Sequence, residues 1–189
     1  MSGTLVENFR LRLAADWVRA GGIIAYPTEA VFGLGCDPAD QSAVLRLLSI
    51  KRRPISKGLI LVAADWSQLQ PWLQTPSPAQ LRRLRESWPG PVTWLVPAAT
   101  HCPHWLTGDH DTLAVRVSAH PLVRSLCRRT GSALVSTSAN ISSQRPARSI
   151  LEVQLRFASC IDNLLPGPLG DLARPTPIRD LLTARTLRH

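Results

Sequence analysis

Apolar residues recur every four positions at Leu5, Phe9, Leu13 and Trp17, with Val6 and Val18 beside them. This spacing predicts an amphipathic helix over 5–20 built on that stripe and stopped by Gly21-Gly22. Residues 23–26 then run apolar, as a buried strand does. A second helix is predicted from about Ala39 to Ile50, with Val44, Leu47 and Leu48 on one face and Asp40 or Asp37 as N-cap. The run 58–62 reads as another buried strand, and 65–69 opens a short helix. Ser77-Pro78 is an N-cap followed by proline at the first helical position, for a helix reaching about Trp88, where Pro89-Gly90-Pro91 is a hard stop.

Beyond that stop, 92–96 and 112–117 read as strands. The loop between them, 97–111, carries three histidines and is the segment expected to move most. His120-Pro121 opens a helix that ends at Gly131, and 133–135 is a short strand leading into Ser136-Thr137-Ser138-Ala139-Asn140. Residues 141–148 form a polar, basic loop. Ser149 and Glu152 form a capping-box pattern for a helix to about Ala158. Residues 160–165 suggest a strand, 166–177 an extended Pro- and Gly-rich loop, 178–182 a last strand, and 183–189 a frayed tail.

About seven strands interleaved with four or five helices indicate a single α/β domain, 1–189, around a twisted sheet flanked by helices. At 189 residues and 44% hydrophobic content the chain is long enough and apolar enough for a good core. No apolar run approaches the roughly 18 residues of a membrane span. The start, Met-Ser-Gly-Thr-Leu-Val-Glu, does not read as a signal peptide. The four cysteines, Cys36, Cys102, Cys127 and Cys160, are widely spaced, which suits reduced core thiols in a cytoplasmic protein.

The net charge of +9 favours polyanionic partners, nucleotides or RNA. Of 22 basic residues the only lysines are Lys51 and Lys57, both inside one loop. Lysine and arginine are not interchangeable at phosphates, so a compact ammonium matters there.

Candidate chemistry lies in three segments. Residues 23–37 run from a strand through Pro27, Thr28 and Glu29 into a turn holding Gly33 and Gly35, as an open α/β sheet builds a site at its strand ends. The glycines suit either close approach to a ligand or simple turns. Lys51 and Arg53, on an extended stretch stiffened by Pro54, would point the same way and meet one anion; the plainer reading is a solvated basic loop. Ser136, Thr137, Ser138 and Asn140 end a strand, where they suit phosphate oxygens, a hydrated Mg²⁺, or only a polar turn. Arg116 sits on a strand, exposed or holding a carboxylate bidentately. Glu29 reads either as a group orienting Thr28 or as a counter-charge. His101, Cys102, His104, Asp109 and His110 cluster in sequence, but their spacing matches no standard zinc site.

Tyr-Pro-Thr-Glu-Ala-Val-Phe-Gly-Leu-Gly from Tyr26, Lys-Arg-Arg-Pro from Lys51, Leu-Ala-Val-Arg-Val from Leu113 and Ser-Thr-Ser-Ala-Asn from Ser136 occur in this order. Together they closely resemble the YrdC/TsaC family of threonylcarbamoyl-AMP synthases, over about 23–180. The resemblance implies a YrdC-like mixed parallel and antiparallel sheet with a concave basic face. It implies condensation of L-threonine, bicarbonate or CO₂ and ATP, with Mg²⁺, to threonylcarbamoyl-AMP and pyrophosphate. A tRNA threonylcarbamoyl transferase machinery would then pass the group to adenosine 37 of tRNA.

The family's Lys-x-Arg and Ser-x-Asn set falls on Lys51, Arg53, Ser138 and Asn140, as the catalytic and ATP-binding residues together with Ser136. Thr28 and Arg116 would bind threonine. Pro175-Thr176-Pro177-Ile178-Arg179 corresponds to a family Pro-Ser-x-Ile segment at the nucleotide, with Thr176 in place of the usual serine. Longer members carry a histidine near the threonine within the strand that here reads Leu59-Ile60-Leu61-Val62; this chain has none. The rival reading is a non-catalytic RNA-binding factor in ribosomal RNA maturation, supported by the basic excess and the arginine-rich segments.

Overall fold

A computed structural model describes residues 5–173 and 176–188. Pro175 of the Pro-Ser-x-Ile correspondence lies outside the described residues. The helices are α1 (Leu5–Arg19), α2 (Gln41–Lys51), α3 (Pro78–Ser87), α4 (His104–Thr107), α5 (Pro121–Thr130) and α6 (Ile150–Phe157). The strands are β1 (Ile24–Pro27), β2 (Phe32–Gly35), β3 (Ile60–Ala63), β4 (Thr93–Pro97), β5 (Thr112–Val117), β6 (Leu134–Ser138), β7 (Asn163–Leu164), β8 (Ile178–Asp180) and β9 (Thr186–Arg188). They form one mixed sheet in the order β7-β1-β2-β6-β3-β5-β4-β8-β9, with β1/β7, β3/β5 and β4/β8 parallel.

Local signals account for most element ends. The Asp40 side chain accepts from Ala43 N–H at 3.0 Å and caps α2. Ser77 and Gln80 form a reciprocal capping box at α3. Gly131, left-handed at φ 77°, ends α5. Asp65 starts a single 3₁₀ turn rather than an α-helix.

Three expectations need correction. Phe32–Gly35 is not a turn but a strand: β1 and β2 form a hairpin whose turn is 28–31. The tail is not frayed throughout, because β9 pairs antiparallel with β8. In α1 the stripe Leu5, Phe9, Leu13 and Trp17 faces outward, Leu5 being 90% exposed, and Leu11, Ala14, Ala15 and Val18 are buried instead. The small alanine face lets α1 approach α5 and β1 closely, which the bulky stripe would prevent.

Strand alternation divides the sheet's two faces. Leu61, Ala63, Leu113, Val115, Val117 and Val135 point into the larger core, which α2, α3, α4 and α6 supply with Leu47, Leu84, Leu106 and Val153. The other face packs Ile24, Tyr26, Val62 and Leu134 against α1 and α5. Each fully buried Leu, Ile or Val contributes roughly 1.5–3 kcal/mol, so the fold rests on these two layers. Cys36 and Cys127 are core thiols, Cys102 is half-buried and Cys160 is exposed; all four are free. Among the described residues no helix is long and apolar enough to cross a membrane.

Candidate active site

The second face of the sheet is only partly covered by α1 and α5, and the rest of it is a cleft of about 310 Å³. The parity that buries Val62 and Leu134 continues along the same strands and turns Ile60, Ala114, Arg116, Ser136 and Ser138 into the cleft. Gly33 and Thr28 of the hairpin form the opposite wall, and Thr176 and Ile178 close one side. Small and polar residues on one strand face, with apolar residues on the other, are what build this concavity.

Lys51 and Arg53 do not lie on one extended stretch. α2 ends at Lys51, and Arg52 is left-handed, φ 48°, with its N–H returned to the helix carbonyls of Leu48 and Ser49. The chain therefore turns between them, while the Arg53 charge still acts on the Lys51 ammonium. Lys51 is 3% exposed, and its ammonium donates to the carbonyl oxygens of Ser138 and Asn140, the latter at 2.7 Å. Its own carbonyl accepts from Ser142 N–H at 2.9 Å and from Ser142 Oγ at 3.0 Å. Burial, with a smaller contribution from the Arg53 charge, lowers the ammonium pKa to about 8. Arg53 lines the cleft, and its Nε and Nη2 donate to Gly58 O at 3.2 and 2.9 Å.

Ser138 Oγ donates to Asn140 Oδ1 at 2.5 Å, while Asn140 Nδ2 donates to Ile141 O at 2.9 Å and Gln144 O at 2.8 Å. Ser136 and Ser138 are strand residues of β6, not part of a loop beyond it, so the sheet itself fixes their direction. Thr28 Oγ1 donates its single proton to Val31 O at 2.7 Å, which leaves only lone pairs for a ligand. It is matched to a donor such as an amine.

Arg116 is a buried member of the cleft wall. Nη1 donates to Thr176 Oγ1 at 2.5 Å, and Nη2 lies 3.2 Å from Glu29 Oε2, an ion pair that is off the line of a hydrogen bond. Nε–H has no acceptor among the described residues. A carboxylate is the group that a guanidinium edge accepts best. Thr176 Oγ1 also lies 3.2 Å from Thr93 Oγ1, tying the C-terminal segment to β4.

Thr107 and Thr112 line the cleft without having been candidates in the sequence, and Lys57 and His110 join them there. Thr112 shares the parity of Arg116 on β5, a signal that was there to be read; Lys57 ends a 3₁₀ turn, Thr107 ends the short helix α4 and His110 lies in the loop before β5, where no strand periodicity points. His101 Nε2 meets Pro71 O at 2.8 Å, and His104 pairs with Asp109 at 3.4 Å. The loop 98–111 is tied at its ends and centre, through Ala98 N–H to Asp111 O and Leu59 N–H to Leu106 O. Among the described residues no three His, Cys, Asp or Glu side chains converge as a metal cage. Ser138 Oγ and Asn140 Oδ1 together suit a hydrated hard cation carried mainly by phosphate oxygens.

Comparison with known proteins gives a consistent set of likenesses. The family model Sua5/YciO/YrdC, described as telomere recombination, matches residues 16–189. Threonylcarbamoyl-AMP synthase of Halorhodospira halophila is 56% identical over 182 residues, covering 96% of this chain and 95% of that protein. That of Coxiella burnetii is 50% identical over 175 residues, covering 93% and 94%. Among solved structures, P. abyssi Sua5 complexed with L-threonine superposes with a TM-score of 0.87 at 30% identity, over 94% of this chain and 52% of that one. The chain thus spans about half the length of that Sua5. E. coli YciO superposes with a TM-score of 0.84 at 26% identity, covering 97% and 89%.

Proposed function

This chain belongs to the Sua5/YciO/YrdC family, and from that premise we propose that its cleft makes threonylcarbamoyl-AMP from L-threonine, bicarbonate or CO₂ and ATP. The observation that carries the reading is the pairing within one cleft of Arg116, which suits a carboxylate, with Ser136, Ser138, Arg53 and Lys57, which suit phosphates. An amino acid and a nucleotide can therefore lie side by side there. Relatives at 50–56% identity carry the synthase name over nearly their whole length.

Arg116 takes the threonine carboxylate, and Thr28 Oγ1 accepts from its amine. The amine adds to CO₂ to give a carbamate. A carbamate oxygen attacks the α-phosphorus in line, the bond to the β-phosphate oxygen breaks, and pyrophosphate leaves. Such a transfer depends mainly on alignment and on neutralising charge, so no protein nucleophile is required.

Arg53 meets the phosphates from the cleft wall. Lys51 holds the Ser138–Asn140 segment from beneath and has a third N–H for a phosphate oxygen. Ser136, Ser138, Asn140 and Thr176 position the nucleotide. Mg²⁺ bound with ATP supplies further charge neutralisation, and Ser138 Oγ and Asn140 Oδ1 are the groups that would face its water shell. The product would pass to tRNA through a transferase machinery. The alternative, a non-catalytic RNA-binding factor, rests on the basic excess and the arginine-rich segments, and the relatives do not favour it.

The test is pyrophosphate release from ATP and Mg²⁺, with and without L-threonine and bicarbonate, and with L-serine as control. Release that needs both co-substrates and prefers threonine is expected. Release indifferent to threonine would overturn the reading.

A further inference from the structure

β1 and β5 are separated in the sheet by β2, β6 and β3, yet the hairpin turn after β1 reaches the end of β5 through one side chain. Glu29, 7% exposed, accepts from Ser118 Oγ at 2.6 Å through Oε1 and pairs with Arg116 through Oε2. The sheet must therefore curl around the cleft, and Glu29 is the link that closes the curl.

The same residue moors the segment that follows β7. Its carbonyl accepts from Leu172 N–H at 3.0 Å, and Thr28 O accepts from Gly170 N–H at 2.9 Å. Gly170 is pressed so close that a Cβ there would lie 2.9 Å from the Glu29 Cα and carbonyl oxygen. His120, whose pKa burial lowers, contacts Pro168 O at 3.2 Å and holds the start of that segment.

A buried carboxylate is costly unless paired, and a buried guanidinium equally so. Here each serves the other. Thr176 holds the Nη1 corner of the guanidinium and Glu29 the Nη2 corner, so the plane of Arg116 is fixed before any ligand arrives. Only the Nε edge has no partner among the described residues. Ser118 in turn fixes the carboxylate.

We propose that Glu29, oriented by Ser118, is a positioning residue that sets Arg116 for the amino-acid carboxylate and so governs the affinity for L-threonine rather than for ATP. It acts through Arg116 and need not touch the substrate. The inference rests on the synthase reading of the cleft.

The experiment measures KM for L-threonine and for ATP separately, by pyrophosphate release, with a thermal melt of each full-length variant. Glu29→Gln keeps the length and an acceptor for Ser118 but removes the charge facing Arg116. Its KM for threonine should rise about tenfold or more, the effect of losing one charge-assisted contact, with KM for ATP within twofold. Ser118→Ala should shift the threonine KM in the same direction by less. The double variant should fall short of the product of the two, because both act through one carboxylate.

If Glu29→Gln does not fold, Ser118→Ala carries the test alone. A threonine KM within twofold of wild type in the folded variants overturns the inference, as does an equal rise in both KM values. A wild-type chain without threonine-dependent release overturns the synthase reading first, and this inference with it.

Discussion

The Lys51 ammonium donates to the Asn140 carbonyl at 2.7 Å from beneath the segment that follows β6, and to the Ser138 carbonyl beside it. One buried cation thus supports both Ser138, which lines the cleft, and Asn140, whose Oδ1 accepts from Ser138 Oγ. Arg52, whose backbone is left-handed, ends α2 immediately after Lys51 and turns the chain before Arg53.

Removing that cation should therefore harm turnover more than folding. Lys51→Ala leaves two carbonyls without their donor, a loss of about 1–3 kcal/mol. Turnover should fall by roughly 100-fold or more, as when a charge-stabilising donor is lost. Pyrophosphate release and a thermal melt check both. Full unfolding at 25 °C would make Lys51 structural only.

The pH dependence of Lys51 separates the two roles. Burial lowers its pKa from the ordinary 10.5 to about 8. Between those values the unfolded chain holds more protons than the folded one, so this group's contribution to stability rises with pH in that window. Below pH 8 the cost of burying the charge is constant. Turnover goes the other way, losing about tenfold per pH unit once the needed charge titrates away. A pH–rate profile read beside denaturant midpoints tests this; a rate flat to pH 9.5 would show that the charge is not needed.

Gly33 and Gly35 should respond differently to alanine. A Cβ on Gly35 would lie 2.3 Å from Val135 O and 2.9 Å from the Tyr26 ring, both buried. Gly35→Ala should cost about 1–3 kcal/mol or more by overpacking. A Cβ on Gly33 would meet Thr28 Cγ2 at 3.1 Å and Ser136 Oγ at 3.5 Å, at the cleft wall. Gly33→Ala should keep its melting temperature within a few degrees and lose substrate affinity. Melts and KM values for both variants decide.

Arg116→Lys keeps the charge but loses the fork that Thr176 and Glu29 hold at two corners. The KM for threonine should rise at least about tenfold, while nucleotide binding, followed by equilibrium titration without threonine, should change little. A parallel loss of ATP affinity would assign Arg116 to the nucleotide instead.

Much of this was legible in the sequence because it is local. The Asp40 cap, the Ser77–Gln80 box and the Gly131 stop depend on neighbours three or four residues away. The parity of β5 set Arg116 opposite the core residues Leu113, Val115 and Val117. The four ordered motifs named the candidate residues before any contact was known.

Tertiary structure decided what no local rule reaches. Phe32–Gly35, short and holding two glycines, is a strand only because β1 and β6 pair with it on either side. α1 offers two apolar faces, and the smaller was buried because it allows closer approach to β1 and α5. The two backbone carbonyls that hold the Lys51 ammonium lie 87 and 89 residues along the chain, beyond the reach of any local pattern. Caps and alternation are fixed by the backbone a residue shares with its neighbours, whereas the partner of a long buried side chain is fixed by which distant segment folds beside it.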